Sequence, residues 1–401
     1  MDTRGQAPIP APTGAATMTR DCLDPWTYAE ITAAGNIRPC CKFLPLAKLD
    51  EAEDVGSVRN NEKFRALREG LLSGKLDPIC QECHFRKSVP TATLNRKVTA
   101  AARRAGETDL LRPLPITFFR IDINENCNLR CDYCAVSSPT YKGVEMSDAI
   151  FERAVGLLGE IDAKAGVHVN GHGETTFHPQ WMKMCRAIVG RGFRPRIITN
   201  MAKNYTDEEV ELLSQFAEIQ ISLDSDDNEL MRKVRKAVRV EHVFETIGRI
   251  RAAAKRGKRK PPTINLSVGV YDPSIWTLER FADTMIRLGV TMVDLWPLVE
   301  FPHQKLVRSL DRLDAAQKER VREILASVSR KLDLAGVLHD FLGDFHALAP
   351  KPNYPRKAVG LAYAYTARYL AGVPDLLARP WRALRPAPAA IVEAAPPQNR
   401  K

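Results

Sequence analysis

The chain has 401 residues, enough for two or three domains of ordinary size. Its 44% hydrophobic and 27% charged residues are the proportions of a globular protein rather than of a fibrous or wholly disordered one. The formal net charge of +11 favours anionic partners, such as phosphorylated substrates, nucleic acid or anionic lipid surfaces, without choosing among them.

No stretch of the sequence predicts export or membrane insertion. Residues 1–20 lack the apolar region of a secretory signal, and the longest apolar run near the C-terminus, AVGLAYAYTA, is too short to cross a bilayer. We therefore expect a cytoplasmic protein without a transmembrane segment. In a reducing cytosol, clustered cysteines are more often metal ligands than disulfides.

The first 114 residues divide into three parts. Residues 1–20 are rich in Pro, Ala, Gly and Thr and predict a disordered arm. Residues 21–88 hold five cysteines and one strong helical pattern, NEKFRALREGLLSG, which ends at Gly74. Residues 89–114 are basic and rich in Ala and Arg, which predicts a connecting helix.

Between residues 115 and 310, short β-branched apolar runs alternate with amphipathic helical stretches. Six such units predict a parallel sheet curled into a partial or full barrel, since each strand returns through a helix. The strand candidates are ITFFRIDI, GVHVNGHG, RPRIITNM, EIQISLDS, TINLSVGV and TMVDLWPL. The helices between them include SDAIFERAVGLLGEI, WMKMCRAIVGRG, DEEVELLSQFA, VFETIGRIRAAAKRG and LERFADTMIRLG. The predicted fold class is α/β, with a partial (β/α)6 barrel of the TIM type.

Two further parts follow the predicted barrel. Residues 311–345 contain the long charged helix AAQKERVREILASVSRKL and form a helical extension. Residues 346–401 are rich in Pro, Ala and Arg and predict a partly disordered tail.

Three cysteines directly follow the first predicted strand, with the spacing C-x3-C-x2-C: Cys127, Cys131 and Cys134. Loops at the carboxyl ends of barrel strands carry the chemistry of such folds. A [4Fe–4S] cluster usually takes four thiolates, so three would leave one iron open. A structural zinc site needs a fourth ligand, and no other Cys or His lies nearby in sequence. A zinc-binding or redox-sensing loop is the alternative.

At this loop the sequence resembles the radical S-adenosylmethionine (SAM) superfamily, whose signature is C-x3-C-x2-C with an aromatic residue before the last cysteine, here Tyr133. The resemblance covers residues 115–310. It implies SAM and a [4Fe–4S] cluster as cofactors. In that family SAM chelates the open iron, one electron breaks its sulfonium bond, and the resulting 5′-deoxyadenosyl radical abstracts hydrogen from a substrate.

The resemblance also implies residues that bind SAM. VNGHGETTFHP is similar to the family's Gly-Gly-Glu motif, with Gly173 and Glu174 in place to receive the methionine ammonium. His172 departs from the pattern at the first Gly, and Thr175 stands where Pro is common. His172 is either a substrate-facing or a packing residue.

Polar residues at the next two strand ends are implied to line the cofactor site. They are Asn200 after the third strand, and Ser222 and Asp224 at the end of the fourth, where relatives often contact the ribose. A basic residue shortly afterwards commonly meets the SAM carboxylate, and Arg235 in MRKVRK is chosen for it. The alternative for this run is a solvated helix face.

The N-terminal cysteines resemble those of a twitch domain, the shortened form of the SPASM domain, which is a small α+β iron–sulfur domain. Cys22 is followed by Pro-Trp, Gly35 precedes Cys40 by five positions, and a C-x2-C pair follows. The resemblance implies that Cys22, Cys40, Cys80 and Cys83 hold an auxiliary [4Fe–4S] cluster, with Cys41 to spare. A four-cysteine zinc ribbon is the rival. Family twitch domains usually follow the barrel, whereas this one precedes it.

Three classes of function remain open. The first is a radical enzyme that oxidises or epimerises a small anionic metabolite such as a sugar derivative. The second is a radical enzyme that matures a peptide or protein. The third is a nucleic-acid-modifying or -binding protein, which ranks last because the basic runs lack interleaved aromatic residues. The radical chemistry requires an electron donor such as flavodoxin or ferredoxin. No catalytic acid, base or quencher can be assigned, although Cys185 and His172 are candidates.

Overall fold

The structure is a computed structural model that describes residues 17–51, 54–83, 85–161, 164–298, 300–342 and 348. Apart from Leu348, the tail expected at 346–401 lies outside these residues, as does the expected arm up to residue 16. Within the described ranges, no helix combines the length and apolar character that a membrane crossing requires.

The described residues form twelve strands and twelve α-helices. The strands are β1 Met18–Arg20, β2 Tyr28–Ile31, β3 Asn36–Arg38, β4 Ala47–Lys48, β5 Ser88–Pro90, β6 Phe118–Ile121, β7 Gly166–His168, β8 Arg196–Thr199, β9 Glu218–Ser222, β10 Thr263–Val270, β11 Met292–Pro297 and β12 Leu338–Phe341. The helices are α1 Asp24–Thr27, α2 Val55–Val58, α3 Glu62–Ser73, α4 Pro78–Gln81, α5 Thr91–Arg104, α6 Asp148–Gly156, α7 Trp181–Gly190, α8 Asp207–Leu213, α9 Asn228–Arg235, α10 Val240–Arg256, α11 Leu278–Arg287 and α12 Ala315–Leu334.

Ten of these strands form one sheet, in the order β12-β11-β10-β9-β8-β7-β6-β2-β3-β4. The strands from β12 to β2 are parallel, and β3 and β4 are antiparallel. β1 and β5 pair separately, so Met18–Arg20 belongs to the folded part and not to the expected arm. The predicted parallel α/β sheet is confirmed.

Four strands join this sheet that the β/α alternation did not predict, and two of them, β2 and β12, extend its parallel part. β2 comes from the cysteine-rich part, and Tyr28–Ile31 pairs in register with Phe118–Ile121 of β6. β12 follows the long helix α12, and Leu338–Phe341 pairs with β11. Four-residue strands carry too little alternation to be recognised alone. Residues 311–345 are therefore more than a helical extension.

The two faces of the curved sheet differ in polarity. Phe119, Ile121, Val167, Ile197 and Ile219 face the helices and belong to the main apolar core. The opposite face points into the barrel lumen and carries a row of cross-strand neighbours: Arg38, Glu30, Arg120, His168, Arg196 and Glu218. Barrels of this type normally fill the lumen with branched apolar side chains. The charged lumen of this sheet therefore does not serve as a packed apolar core.

The sheet curls far enough for its two ends to face each other. Tyr28 and Arg120 near one end and Asp340 and Leu342 at the other line one cavity of about 300 Å³. This geometry is an open, partial barrel, as the sequence predicts.

Candidate functional site

The three cysteines of the C-x3-C-x2-C motif lie in the loop after β6, which we call the cluster loop (residues 124–134). Cys131 is buried, and Cys127 and Cys134 are half-buried. Burial raises the pKa of the Cys127 thiol to about 11 and that of Cys131 to about 12. Without metal, the thiols of Cys127 and Cys131 are therefore protonated at neutral pH, and iron must displace these two protons.

The donor set of the cluster loop fits an iron–sulfur cluster. Each of the other two cysteines contributes to the raised pKa of Cys131, so the three thiols share one small region. Among the described residues, no three Cys, His, Asp or Glu side chains already converge on a single ion. Thiolates of a cubane bind separate irons, so they surround a volume rather than a point.

The end of the second barrel strand is bonded to the cluster loop. The Gly173 amide donates to the Asn124 carbonyl at 3.2 Å, and the Glu174 amide donates to the Asn126 carbonyl at 2.8 Å. A Cβ on Gly173 would lie 2.1 Å from the Asn126 carbonyl oxygen. Only glycine permits this approach.

The Glu174 carboxylate is buried and hydrogen-bonded at both oxygens. Oε1 accepts from the Thr176 amide (3.1 Å) and hydroxyl (2.7 Å) and from the Thr199 hydroxyl (2.9 Å), and Oε2 accepts from the Asn200 amide (2.7 Å). Oε2 therefore keeps a lone pair, as the SAM ammonium expected from the motif requires. The carboxylate also holds the ends of two strands together.

Asn200 and Ser222 lie at the barrel mouth, as predicted. The Asn200 side-chain amide donates to Asn128 Oδ1 at 2.8 Å and lies 3.7 Å from Cys127 Sγ. Ser222 is the half-buried last residue of β9. Asn200 therefore connects the third strand end to the cluster loop, whereas Ser222 faces the mouth without such a contact.

Asp224 is fully buried and lies at the centre of a polar network. Its oxygens accept from the hydroxyls of Tyr133 (2.6 Å) and Tyr271 (2.9 Å), from the Gly269 amide (2.9 Å), and from Arg235 Nε (2.9 Å) and an Arg235 terminal nitrogen (3.0 Å). Five donors leave no acceptor for a ribose hydroxyl. The expected ribose contact of Asp224 is corrected on this ground.

Arg235 and Tyr133 belong to the same network. The side chain of Arg235 is 5% exposed and that of Asp224 is fully buried, so the ion pair lies out of solvent. The Arg235 guanidinium lies over the Tyr133 ring, 5.5 Å from its centroid. Asp224 therefore already balances the charge of Arg235. The hydrogen bond from its hydroxyl to Asp224 and the guanidinium over its ring together fix the position of Tyr133.

A second segment fastens the cluster loop from the side of β11. The Asp132 carboxylate accepts from the backbone amides of Lys305 (3.1 Å), Leu306 (2.7 Å) and Val307 (3.2 Å). His303 Nε2 lies 3.0 Å from the Cys134 carbonyl oxygen. The loop that carries the iron ligands is thus fixed on two sides.

Two lumen-facing residues at the mouth keep acceptor atoms without partners. Asp122 and Asn170 lie two positions beyond the cross-strand pair Arg120 and His168. Both Asp122 oxygens and Asn170 Oδ1 are buried and lack a hydrogen bond among the described residues. Burial raises the pKa of Asp122 to about 7, with Glu125 and Glu30 adding to the increase and Arg120 opposing it. Sequence reasoning missed both residues.

All five N-terminal cysteines line the cavity of about 300 Å³, together with Phe118, Arg120, Asp294 and Asp340 of the barrel. Burial raises the pKa of Cys40 to about 12 and that of Cys80 to about 11. Arg20 Nε donates to the Cys80 carbonyl at 2.9 Å, which fixes α4. The cysteine-rich part and the barrel lumen therefore open into one space.

Cys40 and Cys41 point to different surroundings. Burial raises the pKa of Cys22, and the neighbouring Asp24 and Cys40 add to the increase. Desolvation raises the pKa of Cys41 although the residue is exposed, and Arg120 of the lumen opposes the increase. Cys40 therefore lies near Cys22, and Cys41 is the more exposed of the two.

The two remaining candidates, Cys185 and His172, lie in different surroundings. Cys185 is fully buried in α7 within the apolar core, so it cannot quench a radical at the mouth. His172 is exposed at the mouth between Gly171 and Gly173. The polar residues of the lumen alternate with apolar ones in the sequence segments FRI, GVH and EIQIS. Their alignment into one row across the sheet depends on the strand pairing, which the sequence does not show.

The chain matches two family models. Residues 121–285 match the radical SAM superfamily, and residues 22–84 match an iron–sulfur cluster-binding domain of the SPASM type. These matches imply SAM, a [4Fe–4S] cluster and an auxiliary iron–sulfur cluster as cofactors. The expected cofactors are thereby confirmed.

Individual relatives are distant. A tungsten-containing aldehyde ferredoxin oxidoreductase cofactor-modifying protein of Pyrococcus furiosus is 26% identical over 179 residues, which are 43% of this chain and 49% of that protein. The chain thus spans about half the length of that relative.

Solved structures of Streptococcus suis SuiB are also similar. The complex with SAM has a TM-score of 0.45 and 17% identity over 79% of this chain and 71% of SuiB. The complex with the precursor peptide SuiA has a TM-score of 0.43 and 16% identity over 86% and 74%. Such scores are too low to carry an argument about activity. On the family matches and the parallel barrel, residues 121–285 form a radical SAM domain, and residues 22–84 form an iron–sulfur cluster-binding domain ahead of it.

Proposed function

We propose that the protein reductively cleaves SAM and uses the resulting 5′-deoxyadenosyl radical to oxidise a small polar metabolite in the barrel lumen. The observation that carries this proposal is the shared cavity. The cysteines of the auxiliary domain and the charged lumen residues Arg120, Asp294 and Asp340 line one space of about 300 Å³. Ligand pockets for small molecules begin at about this volume.

The cysteines divide into two ligand sets under this proposal. Cys127, Cys131 and Cys134 hold the [4Fe–4S] cluster that supplies the electron for SAM cleavage. Cys22, Cys40, Cys80 and Cys83 hold the auxiliary cluster. The different surroundings of Cys40 and Cys41 support Cys40 as the ligand. We place the auxiliary domain at residues 21–88 and the radical SAM core at residues 115–310.

The cofactor-site residues take three roles. Gly173 lets backbone approach the cluster loop, and its backbone is the part of the motif that we assign to the SAM ammonium. Glu174 positions Asn200, whose amide lies against Cys127. The pair of Asp224 and Arg235 positions Tyr133, and Ser222 is the remaining strand-end hydroxyl for the ribose.

The two clusters account for the electrons of the proposed oxidation. The radical removes one hydrogen atom from a substrate carbon and becomes 5′-deoxyadenosine. An auxiliary cluster held by Cys22, Cys40, Cys80 and Cys83 would accept the one electron that the substrate radical gives up, a base would take the proton, and a double bond would remain in the product. Epimerisation would instead need a hydrogen donor, and buried Cys185 cannot serve.

The first test concerns SAM cleavage. Anaerobically reconstituted protein should bind about eight irons and form 5′-deoxyadenosine when reduced. Replacing Cys127, Cys131 and Cys134 by Ala should abolish cleavage, and cleavage by that variant would disprove the assignment. Replacing Cys80 and Cys83 by Ala should remove about half of the iron and preserve cleavage without substrate.

The second test identifies the substrate class. Cell extract from a deuterated culture is separated by ultrafiltration into small molecules and macromolecules. Each fraction is incubated with enzyme, SAM and reductant, and the deuterium in 5′-deoxyadenosine is measured by mass spectrometry. We expect transfer from the small-molecule fraction. Transfer from the macromolecular fraction alone would favour a peptide, protein or nucleic acid substrate.

A further inference from the structure

Arg20 joins the two segments that carry the N-terminal cysteines. It is the last residue of β1 and stands two positions before Cys22. Its guanidinium reaches the segment around the C-x2-C pair and donates there to three carbonyl groups: those of Cys80 (2.9 Å from Nε), Arg86 (3.3 Å) and Gln81. Five N–H donors in one plane suit a guanidinium to bridge several acceptors at once. Arg20 therefore fixes the end of α4 relative to Cys22.

A second arginine makes the opposite connection. Arg86 follows Cys83 in sequence, and one of its terminal nitrogens lies 2.7 Å from each oxygen of Asp24, in the helix that follows Cys22. Both side chains of this ion pair are mostly buried. The pair of Asp24 and Arg86 is therefore balanced in charge, whereas Arg20 is a cation that only carbonyl dipoles hold.

The charge of Arg20 is not balanced by a carboxylate in the described part of the chain. Two carboxylates influence Cys80, but both are engaged elsewhere: Asp24 pairs with Arg86, and the Asp77 side chain caps α4. Burial raises the pKa of the Cys80 thiol to about 11, and the charge of Arg20 opposes the rise. Arg20 also lines the cavity that the cysteines share. One uncompensated positive charge therefore lies at the wall of this cavity.

The cysteines around this cavity suit a cubane cluster. Cys22, Cys40, Cys80 and Cys83 line it, and across the described ranges no three Cys, His, Asp or Glu side chains converge on a single ion. Thiolates spread around a volume fit a cubane, in which each binds a separate iron. Electron gain adds negative charge to such a cluster. A nearby uncompensated cation therefore stabilises the reduced state more than the oxidised state.

We propose that Arg20 is a positioning residue whose charge raises the reduction potential of the auxiliary cluster, so that it can accept the electron of the substrate radical. The inference rests on the proposed function, in which the substrate radical loses one electron and the auxiliary cluster gains it. Electrons move spontaneously toward the couple with the higher potential. Arg20 acts on this step through the cluster and touches neither the substrate nor the reacting atoms.

The test measures the potential of the auxiliary cluster in the full-length chain. Cys127, Cys131 and Cys134 are replaced by Ala as the background, so that only the auxiliary cluster contributes to the electron paramagnetic resonance of the reduced protein. Arg20→Gln removes the charge, and Arg20→Lys keeps it. Arg104→Gln is the control, because Arg104 is an exposed cation at the end of α5 and does not line the cavity.

We expect R20Q to lower the ratio of reduced to oxidised cluster at a fixed potential by about tenfold, which corresponds to about 59 mV for one electron. R20K should stay close to the background potential, and R104Q should equal it. Equal decreases in R20Q and R20K would mean that the hydrogen bonds act and not the charge, which would overturn the proposal. Loss of the cluster from both variants would show a purely structural role and would overturn it as well.

Asp24→Asn is a second variant that leaves the Arg20 bridge in place. It removes the carboxylate that balances Arg86, so the wall of the cavity gains net positive charge and the potential should rise. An unchanged potential in D24N would show that charge at this wall does not control the cluster, and the proposal would fail. Absence of any [4Fe–4S] signal from the background protein would instead refute the auxiliary cluster of the proposed function.

Discussion

Asp122 is a carboxyl group in an environment that does not favour its charge. Its oxygens are buried without hydrogen bonds, and its pKa is raised from 3.8 to about 7, chiefly by burial. The folded protein holds this proton more tightly than the unfolded chain does. The contribution of protonated Asp122 to the free energy of unfolding is therefore fully present below about pH 4, and it is lost as the pH rises through 7. The loss is about 4 kcal/mol when the group is fully ionised.

Replacing Asp122 by Asn should therefore flatten the pH dependence of stability. Asparagine keeps the size of the side chain but has no proton to lose, so the variant should gain stability over the wild type at pH 8 and much less at pH 5. Denaturant unfolding of the anaerobic protein at both pH values measures this. Asp207→Asn is the control, because the Asp207 side chain is 98% exposed. An unchanged slope in D122N would contradict the raised pKa.

At the scale of elements, the close approach between the end of β7 and the cluster loop depends on Gly173. A Cβ on Gly173 would overlap the backbone of Asn126, and backbone cannot move aside as a flexible side chain can. The approach brings the amides of Gly173 and Glu174 to carbonyls of the loop that carries the iron ligands.

Gly173→Ala should disturb this loop without affecting the N-terminal cysteines. We expect the variant to lose the radical SAM cluster and retain the auxiliary one, so that about half of the iron remains. Iron analysis and electron paramagnetic resonance of the reduced protein check this. Gly248→Ala is the matched control, because its Cβ would meet no atom within 4 Å. Normal iron content in G173A would show that the loop tolerates the displacement.

The sequence predicted the elements of the barrel better than their contacts. All six strand candidates exist, because β-branched runs between helices are a local signal. The three cysteines were recognisable from their spacing, and Gly173 from the resemblance to the Gly-Gly-Glu motif. The partners of Glu174 and Asp224 were not, because Asn200 and Arg235 reach them only after strands and helices have packed. The unpaired acceptors of Asp122 and Asn170 were hidden for the same reason.

At the scale of the whole molecule, the cysteine-rich part is an extension of the barrel sheet. Ala29 and Ile31 of β2 belong to the same apolar core as Phe119 and Ile121 of β6. The resemblance to a twitch domain predicted a separate small domain before the barrel. It did not predict the shared sheet, because a strand as short as β2 finds its partner only through long-range pairing.

A fragment lacking residues 1–88 should therefore fold poorly. Removal of residues 1–88 would expose the edge of β6 and the apolar side chains that β2 covers. Exposed strand edges promote aggregation. We expect a lower melting temperature and aggregates in size-exclusion chromatography. A monomeric, stable fragment 89–401 would show that the barrel is independent of β2.

The ladder between β2 and β6 also bears on the kinetics of electron transfer. One cysteine set follows β6 and the other flanks β2, and these neighbouring strands are joined by backbone hydrogen bonds. A hinge between the two sets would have to break this ladder. Tunnelling between the two clusters would therefore occur over a constant distance, and its rate should follow driving force and not be gated by domain motion.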